Sequence, residues 1–483
     1  MRIWCRQIGA SPGGLLVSVG ITRPVASTPY GETPLHAAVK GGFINVVKLL
    51  LERRNIDPNK ENEYNGDTPL HSAARYGHLD IVQLLLERAD IDPNKETKYG
   101  DTPLHAAAKG GFINIVKLLL ERGDKDPNNE NRSNKTLLHS AARGGNLDIV
   151  ELLLERADID PNGENKYGST PLHRAVEGRF INIVQFLLER ADIDPNKTDK
   201  FERDTPLHLA VSGGNLDIVK LFLQRADIDP SKENKYGYTP FHTAVKGGFI
   251  NIVQFLLERA DFDPNKTDKY VGDTPLHLAV SGGNLDLVKL FLQRADIDPS
   301  KENKYGDTPL HAAAEGGFIN IVKLLLERAD IDPKKENKYG STPLHTAVKG
   351  GFINIVQLLL ERADIDPNKS DKDGNTVLHK ATRSGELELV QLLLKTSNID
   401  PNQKNKFEGD TPLHLAVSGG NLDIVKLFLQ RADIDPSKEN KFGYTPLHKA
   451  VKGGFINIVQ FLLERADIDP NKTDKCCIFV CGG

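Results

Sequence analysis

The sequence predicts an all-α fold, a solenoid of about thirteen helix-turn-helix repeats joined by β-turn fingers. Three observations carry this reading. Thirteen of the fourteen histidines fall at 36, 71, 105, 139, 173, 208, 242, 277, 311, 345, 379, 414 and 448, so every step is 34 or 35 residues, with His78 alone off the grid. Each grid histidine closes a Thr-Pro-Leu-His block such as Thr33-Pro34-Leu35-His36, or a near variant such as Thr136-Leu137-Leu138-His139, Thr239-Pro240-Phe241-His242 or Thr376-Val377-Leu378-His379. From Arg6 to Lys475 the 483-residue chain has no Met, Trp or Cys. Independent domains would not share such a gap, whereas one copied unit explains it. Periods of 20–50 residues mean stacked repeats.

The elements follow in order. Residues 1–29 form a non-repeat leader, in which Arg2, Arg6 and the run Leu15–Ile21 are a poor match to a signal peptide because Pro12-Gly13-Gly14 precede the run. Counting from six residues before each histidine, the repeats are 30–64, 65–98, 99–132, 133–166, 167–201, 202–235, 236–270, 271–304, 305–338, 339–372, 373–407, 408–441 and 442–475. A tail, 476–483, carries Cys476, Cys477 and Cys481.

The ninth repeat shows the pattern. Thr308 is placed to cap a helix whose first residue, Pro309, loses nothing by lacking an N–H. Leu310, Ala313 and Ala314 continue it until Gly316-Gly317. A second helix is predicted over Ile319–Arg328, with Ile321, Val322, Leu324 and Leu325 on one apolar stripe. Pro333 then forces an extended exit, and Asn337-Lys338-Tyr339-Gly340 has turn chemistry. Both helices fall short of the ~12–15 residues at which a helix becomes marginal alone, so neighbours must hold them.

These residues resemble the ankyrin repeat family. Gly306-Asp307-Thr308-Pro309-Leu310-His311, Ala313-Ala314, Gly316-Gly317 and Ile321-Val322-Lys323-Leu324-Leu325-Leu326 carry the resemblance, which recurs thirteen times. It implies an L-shaped helix–helix–finger unit stacked into a curved solenoid, with protein binding on the concave face formed by fingers and first helices. Two departures stand out. Ala329 and its equivalents occupy the slot where the family has a helix-ending Gly, and the loop after it is one residue longer than the commonest form. A left-handed cap costs a non-glycine residue ~1–2 kcal/mol, so a different helix exit is expected.

A longer period overlies the first. Second helices open either with Phe-Ile-Asn, as at 249–251, or with a polar residue and Leu-Asp or Leu-Glu, as at 215–217. The forms alternate through the ninth repeat, so the copied unit is a pair. Residues 208–270 and 414–476 differ at five positions, among them Thr243/Lys449 and Tyr270/Cys476. The pattern stops at Cys476, and the array is read as cut within a turn, leaving part of the set Ile456, Ile458, Val459, Phe461 and Leu462 exposed.

No catalytic, cofactor or metal site is expected. Zn–N bonds are about 2.0–2.1 Å long, while packed helices lie roughly 8–10 Å apart, so adjacent grid histidines cannot share an ion. The reading for each imidazole is a hydrogen bond near its Thr cap that ties its repeat to the next. Asp-rich connectors such as 191–199 are broken by Pro195 and lack the closing Glu of a calcium loop, so they read as solvated. Gly-Gly pairs lack the Lys-Ser/Thr of a phosphate loop. A net charge of −4 excludes the strongly basic nucleic-acid binders. No segment approaches the ~20 apolar residues of a membrane span. Cys476, Cys477 and Cys481, beside Ile478-Phe479-Val480, are candidates for acylation, although an unanchored tail is the preferred reading. Without a disulfide framework the location leans cytoplasmic.

The function expected is therefore a non-enzymatic protein-binding scaffold, probed first by position. Four residues after each grid histidine stand Lys40, Arg75, Lys109, Arg143, Glu177 and onward, and one residue after stand Ala37, Ser72, Ala106, Ser140, Arg174 and onward. They vary within a near-constant frame. The basic run in the first four repeats suits an acidic protein partner. Tyr99, Tyr167, Tyr236, Tyr305 and Tyr339 at the finger tips are candidate anchors, as Tyr is enriched at interfaces. A monomeric array is expected. The alternatives are the recruiting arm of a larger enzyme or secreted host-targeted effector, and a structural spacer or spring.

Overall fold

The structure, a computed structural model, describes residues 31–122, 136–156 and 158–475. The leader 1–29 and the cysteine tail 476–483 lie outside the described residues, as do the expectations that fall on them. The chain groups into two bodies, Met1–Lys166 and Tyr167–Gly483. Among the described residues there are eight helices in the first body, eighteen in the second, and no strand. Within each body every first helix packs on its own second helix and on the first helices of its neighbours.

Each first helix begins at a threonine. Thr308 has extended backbone (φ −92°, ψ 167°), and the helix Pro309–Glu315 follows it. The repeat's block is a capping box in which histidine takes the place usually held by Glu or Gln: the Thr308 N–H donates to His311 Nδ1 while the threonine side chain faces the N3 backbone. The second helix runs Ile319–Leu326, two residues shorter than the periodicity suggests. Ile321, Val322 and Leu325 are buried, but Leu324 is only half-buried. In this repeat the buried stripe is therefore three residues wide, and Leu324 lies at its edge.

The exit from the second helix uses no left-handed residue: Glu327 stays right-handed (φ −71°, ψ −17°), and the only described non-glycines with positive φ are Arg179 and Arg203. An ion pair holds the turn instead. Arg328 Nε and Nη2 donate to the two carboxylate oxygens of Asp330 at 2.9 and 2.6 Å, and Nη1 donates to Leu292 O of the preceding repeat at 2.7 Å. The same clamp recurs at Arg88–Asp90 in the first body and at Arg225–Asp227 and Arg465–Asp467 in the second. Arg328 holds Asp330 below the usual carboxylate range through that hydrogen-bonded pair. The connectors read as solvated acid are thus half clamp, with Arg bridging two repeats.

The two forms of second helix differ physically. Asn215, Asn284 and Asn421 cap theirs, accepting the N–H of Ile218, Leu287 and Ile424 at 3.1–3.2 Å. Phe318 makes no cap. Its ring instead covers Gly316 of its own repeat and Gly283 of the one before, where an added Cβ would stand 2.6 Å from the ring. Gly283 is also left-handed, φ +66°, so both space and backbone require glycine there.

Fingers are linked by backbone. Lys338 N–H donates to Tyr305 O at 2.8 Å, and the bond repeats at Lys304–Val271 and Lys372–Tyr339. Within a finger, Asn337 Oδ1 accepts from the N–H of Tyr339 and Ser341. In the last repeat Ile458 and Leu462 are buried, whereas Ile456 is 69% exposed, in line with the exposure expected of part of that set.

Leu325 is fully buried in mid-array. Leu325→Ala is expected to cost about 2–5 kcal/mol, and hydrogen exchange is expected to rise first in the eighth to tenth repeats, because stability is coupled between nearest neighbours. A uniform rise across the second body would contradict that.

Candidate functional site

The surface with variable chemistry lies where fingers meet first helices, and the histidine bridges fix its geometry. Where a grid histidine of the described residues makes both bonds, Nδ1 faces the Thr cap and Nε2 donates to a backbone carbonyl, which belongs to the following repeat except at His242, where it is Lys266 O of the same repeat. His277 Nδ1 lies 2.8 Å from Thr274 Oγ1, and its Nε2 lies 3.0 Å from Asp307 O. His36 reaches Asp67 O at 2.9 Å and His414 reaches Tyr444 O at 2.9 Å. His242 instead reaches Lys266 O at 2.8 Å. A carbonyl only accepts, so Nε2 carries the proton, and Nδ1 accepts from the Thr N–H. Protonating Nδ1 would set donor against donor.

Burial pushes these imidazoles down, with the carbonyl bond opposing it only in part. His173, His242 and His379 lie at about 4. His208, His277 and His311 are lowered for the same first reason. Among the described residues no three His, Cys, Asp or Glu side chains gather as a metal site, and no helix is long and apolar enough to cross a membrane.

On this frame a second couple recurs, between the finger residue four before the histidine and the helix residue four after it. Lys40 pairs with Glu32. Arg75 grips Asp67 with both terminal nitrogens at 2.9 Å. At Tyr238/Lys246 and Tyr444/Lys452 the couple becomes an ammonium over a ring, at 4.9 and 5.2 Å. At three repeats of the second body no opposite charge stands across it: Asp204 is set against Ser212, Asp273 against Ser281, and Asp307 against Glu315.

The positions singled out from sequence fall as follows. Lys40 and Arg75 are committed to acidic partners within their own repeats. Lys109 and Tyr99, the latter 61% exposed, line one groove of the first body together with Arg75 and Asp101. Arg143 is exposed on its first helix. Arg174 is buried, 8% exposed, with Nη1 on Glu177 at 2.6 Å. Tyr167 lies against Phe201, ring centroids 5.6 Å apart. Tyr236 carries the Lys235 ammonium 4.9 Å over its ring. Tyr305 and Tyr339 are 45% and 60% exposed. Cys476, Cys477 and Cys481 lie outside the described residues. The row one residue after the grid histidines also holds Lys380 and Lys449, which the candidate contacts did not include: Lys380 meets Asp371 at 2.8 Å, and Lys449 meets Asp410 at 3.1 Å. The Thr243/Lys449 difference between the two near-identical stretches was the available signal.

Helix pairs capped by Thr-Pro, stacked through buried histidines and linked by short fingers, define a repeat solenoid whose exposed chemistry sits on one frame. The family model for ankyrin repeats (three copies) matches residues 15–97, 55–131, 104–199, 191–268, 260–337, 329–405 and 397–474. The chain belongs to the ankyrin repeat family. The first match begins within the stretch assigned to the leader. No curated protein matches the chain.

The sign of the acid response follows from the imidazoles. The unfolded chain titrates them near 6.5 and the folded chain lower, so between those values the unfolded state binds more protons and stability falls as the pH is lowered. The urea midpoint is expected to be level above about pH 7 and to drop steadily from pH 6.5 toward 4. A midpoint unchanged between pH 7 and 5 would contradict the buried neutral state.

Proposed function

We propose that the chain is a non-enzymatic scaffold that binds partner proteins along the face formed by its fingers and first helices. The observation that carries this reading is the contrast between frame and face. The Thr–His–carbonyl bridge recurs with near-constant distances, while the couples beside it change from ion pair to cation–π pair to unmatched acid. Packing alone demands the first and does not demand the variation in the second. Array membership supports protein binding as the typical role of such repeats, and a cytoplasmic location goes with it. Binding would use shape plus many weak contacts, with exposed tyrosines as anchors.

The contact candidates are Lys40, Arg75, Lys109 and Arg143 on the helices, and Tyr99, Tyr167, Tyr236, Tyr305 and Tyr339 on the fingers; Arg174, the fifth helix position, offers a partner only the 8% of its surface that the stack leaves exposed. The N-terminal four favour an acidic protein partner. Changing Lys40, Arg75, Lys109 and Arg143 together to Glu is expected to lower partner recovery in a crosslinking pull-down at least tenfold, about 1.4 kcal/mol or more. Circular dichroism serves as the folding control. Unchanged recovery by the folded variant would remove the basic-face part of the proposal, and recovery indifferent to changes anywhere on the face would favour a spacer.

A further inference from the structure

The second body contains a groove where the couples just described leave acid without a counter-ion. It occupies about 350 Å³ between the fingers of the eighth and ninth repeats and their first helices. Asp273, Asp307 and Glu315 bring the charge, and Val271, Tyr305 and Ala312 bring the apolar wall. Asn303 joins the two fingers: its Nδ2 donates to Asp273 Oδ1 at 2.9 Å, and its Oδ1 accepts the Asp307 N–H at 3.0 Å. Both aspartates are half-buried. Glu315 meets Lys349 at 3.1 Å on its exposed side. No lysine or arginine of the described chain pairs with Asp273 or Asp307.

The same chain shows what such a groove takes. Between the fingers of the eleventh and twelfth repeats a comparable groove of about 480 Å³ is lined by Asp373, Asn375, Phe407, Glu408 and Asp410, and Lys449 of the thirteenth repeat is part of its lining. The Lys449 ammonium lies 2.5 Å from Glu408 and 3.1 Å from Asp410. One residue after its histidine, Lys449 corresponds to Ala312, which follows His311. With Ala312 there, the stem and the ammonium are both missing beside Asp273.

The carboxyls respond accordingly. Burial pushes Asp273 up, and Asp268 and Asp307 push it further. At Asp410 burial acts in the same direction, but Asn440, His414 and Lys449 outweigh it and the carboxyl lies below its ordinary range. Asp204, where Thr243 replaces that lysine, is raised by burial, as Asp273 is. An unpaired, half-buried carboxylate is costly, and a cation that brings its own hydrogen bonds relieves the cost.

We propose that the groove between Asp273 and Asp307 is a receptor for a lysine or arginine side chain of an extended partner segment, its alkyl stem lying on Tyr305 and Val271 and its cationic head between the two carboxylates. The proposal rests on the protein-binding reading above and adds a partner of opposite charge to the one the basic N-terminal repeats favour. The stem's burial and the paired head act together, as they do for Lys449.

The test uses the full chain and short fluorescent peptide pools that share a mixed apolar and Ser background and differ only in a central Arg, Lys or citrulline, the last being neutral and close to Arg in shape. Anisotropy is expected to show the Arg and Lys pools bound at least tenfold more tightly than the citrulline pool. That preference is expected to vanish in Asp273→Asn/Asp307→Asn and in Ala312→Lys, which places the chain's own cation where Lys449 lies. Ala312→Lys is also expected to raise the urea midpoint. Asp286→Asn, on an exposed second helix, controls for net charge and is expected to keep the preference. Equal binding of Arg and citrulline pools by the wild type, or a preference that survives in either groove variant, would overturn the proposal. If that happens while crosslinking still recovers partners through the face, only the cation receptor is lost; if face variants change no partner recovery, the protein-binding reading fails as well.

Discussion

The imidazole that spans two repeats is the interaction on which the rest of the structure depends. Its Nδ1 completes a helix cap and its Nε2 satisfies a carbonyl of the next finger, so one side chain fixes a local turn and an intermolecular-like contact at once. Each helix is too short to persist alone. Its start is made stable by a group that is correctly placed only when the next repeat is present. That links the cap, the stack and the finger in one element at histidines such as His36, His277 and His414.

A rigid frame of this kind frees the adjacent positions. The finger and helix residues four places either side of the histidine are held close enough to pair whatever they are: Asp67 with Arg75, Tyr238 with Lys246. Where they match, the repeat is closed to an outside charge. Where duplication and drift have set Asp273 against Ser281, or Asp307 against Glu315, a site of uncompensated charge stands open on an otherwise self-satisfied surface. Specificity then comes from which repeats remain unmatched, and the scaffold itself need not change.

Much of this was legible in the sequence. The histidine period gave the repeat, Thr-Pro marked each first helix, and Asn215 against Phe249 correctly separated a capped second helix from one that packs its first residue on a neighbour. The missing parts share a cause: they depend on partners a full repeat away. Arg328 was invisible as a clamp because its carbonyl partner, Leu292, is 36 residues earlier. Counting Lys and Arg along one row does not show that Glu32 and Asp67, four residues before the histidine, pair with Lys40 and Arg75. Arg174 reads as surface by residue type, yet the stack buries it. Sequence periodicity locates a position on a repeat; it does not say what the neighbouring repeat places against it.

Nitrogen NMR of the histidine side chains tests the central claim most directly. With the imidazoles labelled at both ring nitrogens, the bridging histidines such as His173, His208, His277 and His379 are expected at pH 6 to show the neutral tautomer with the proton on Nε2. A pattern of imidazolium, or of protons on Nδ1, at those positions would mean that the bridge is not made and that something else holds the repeats together.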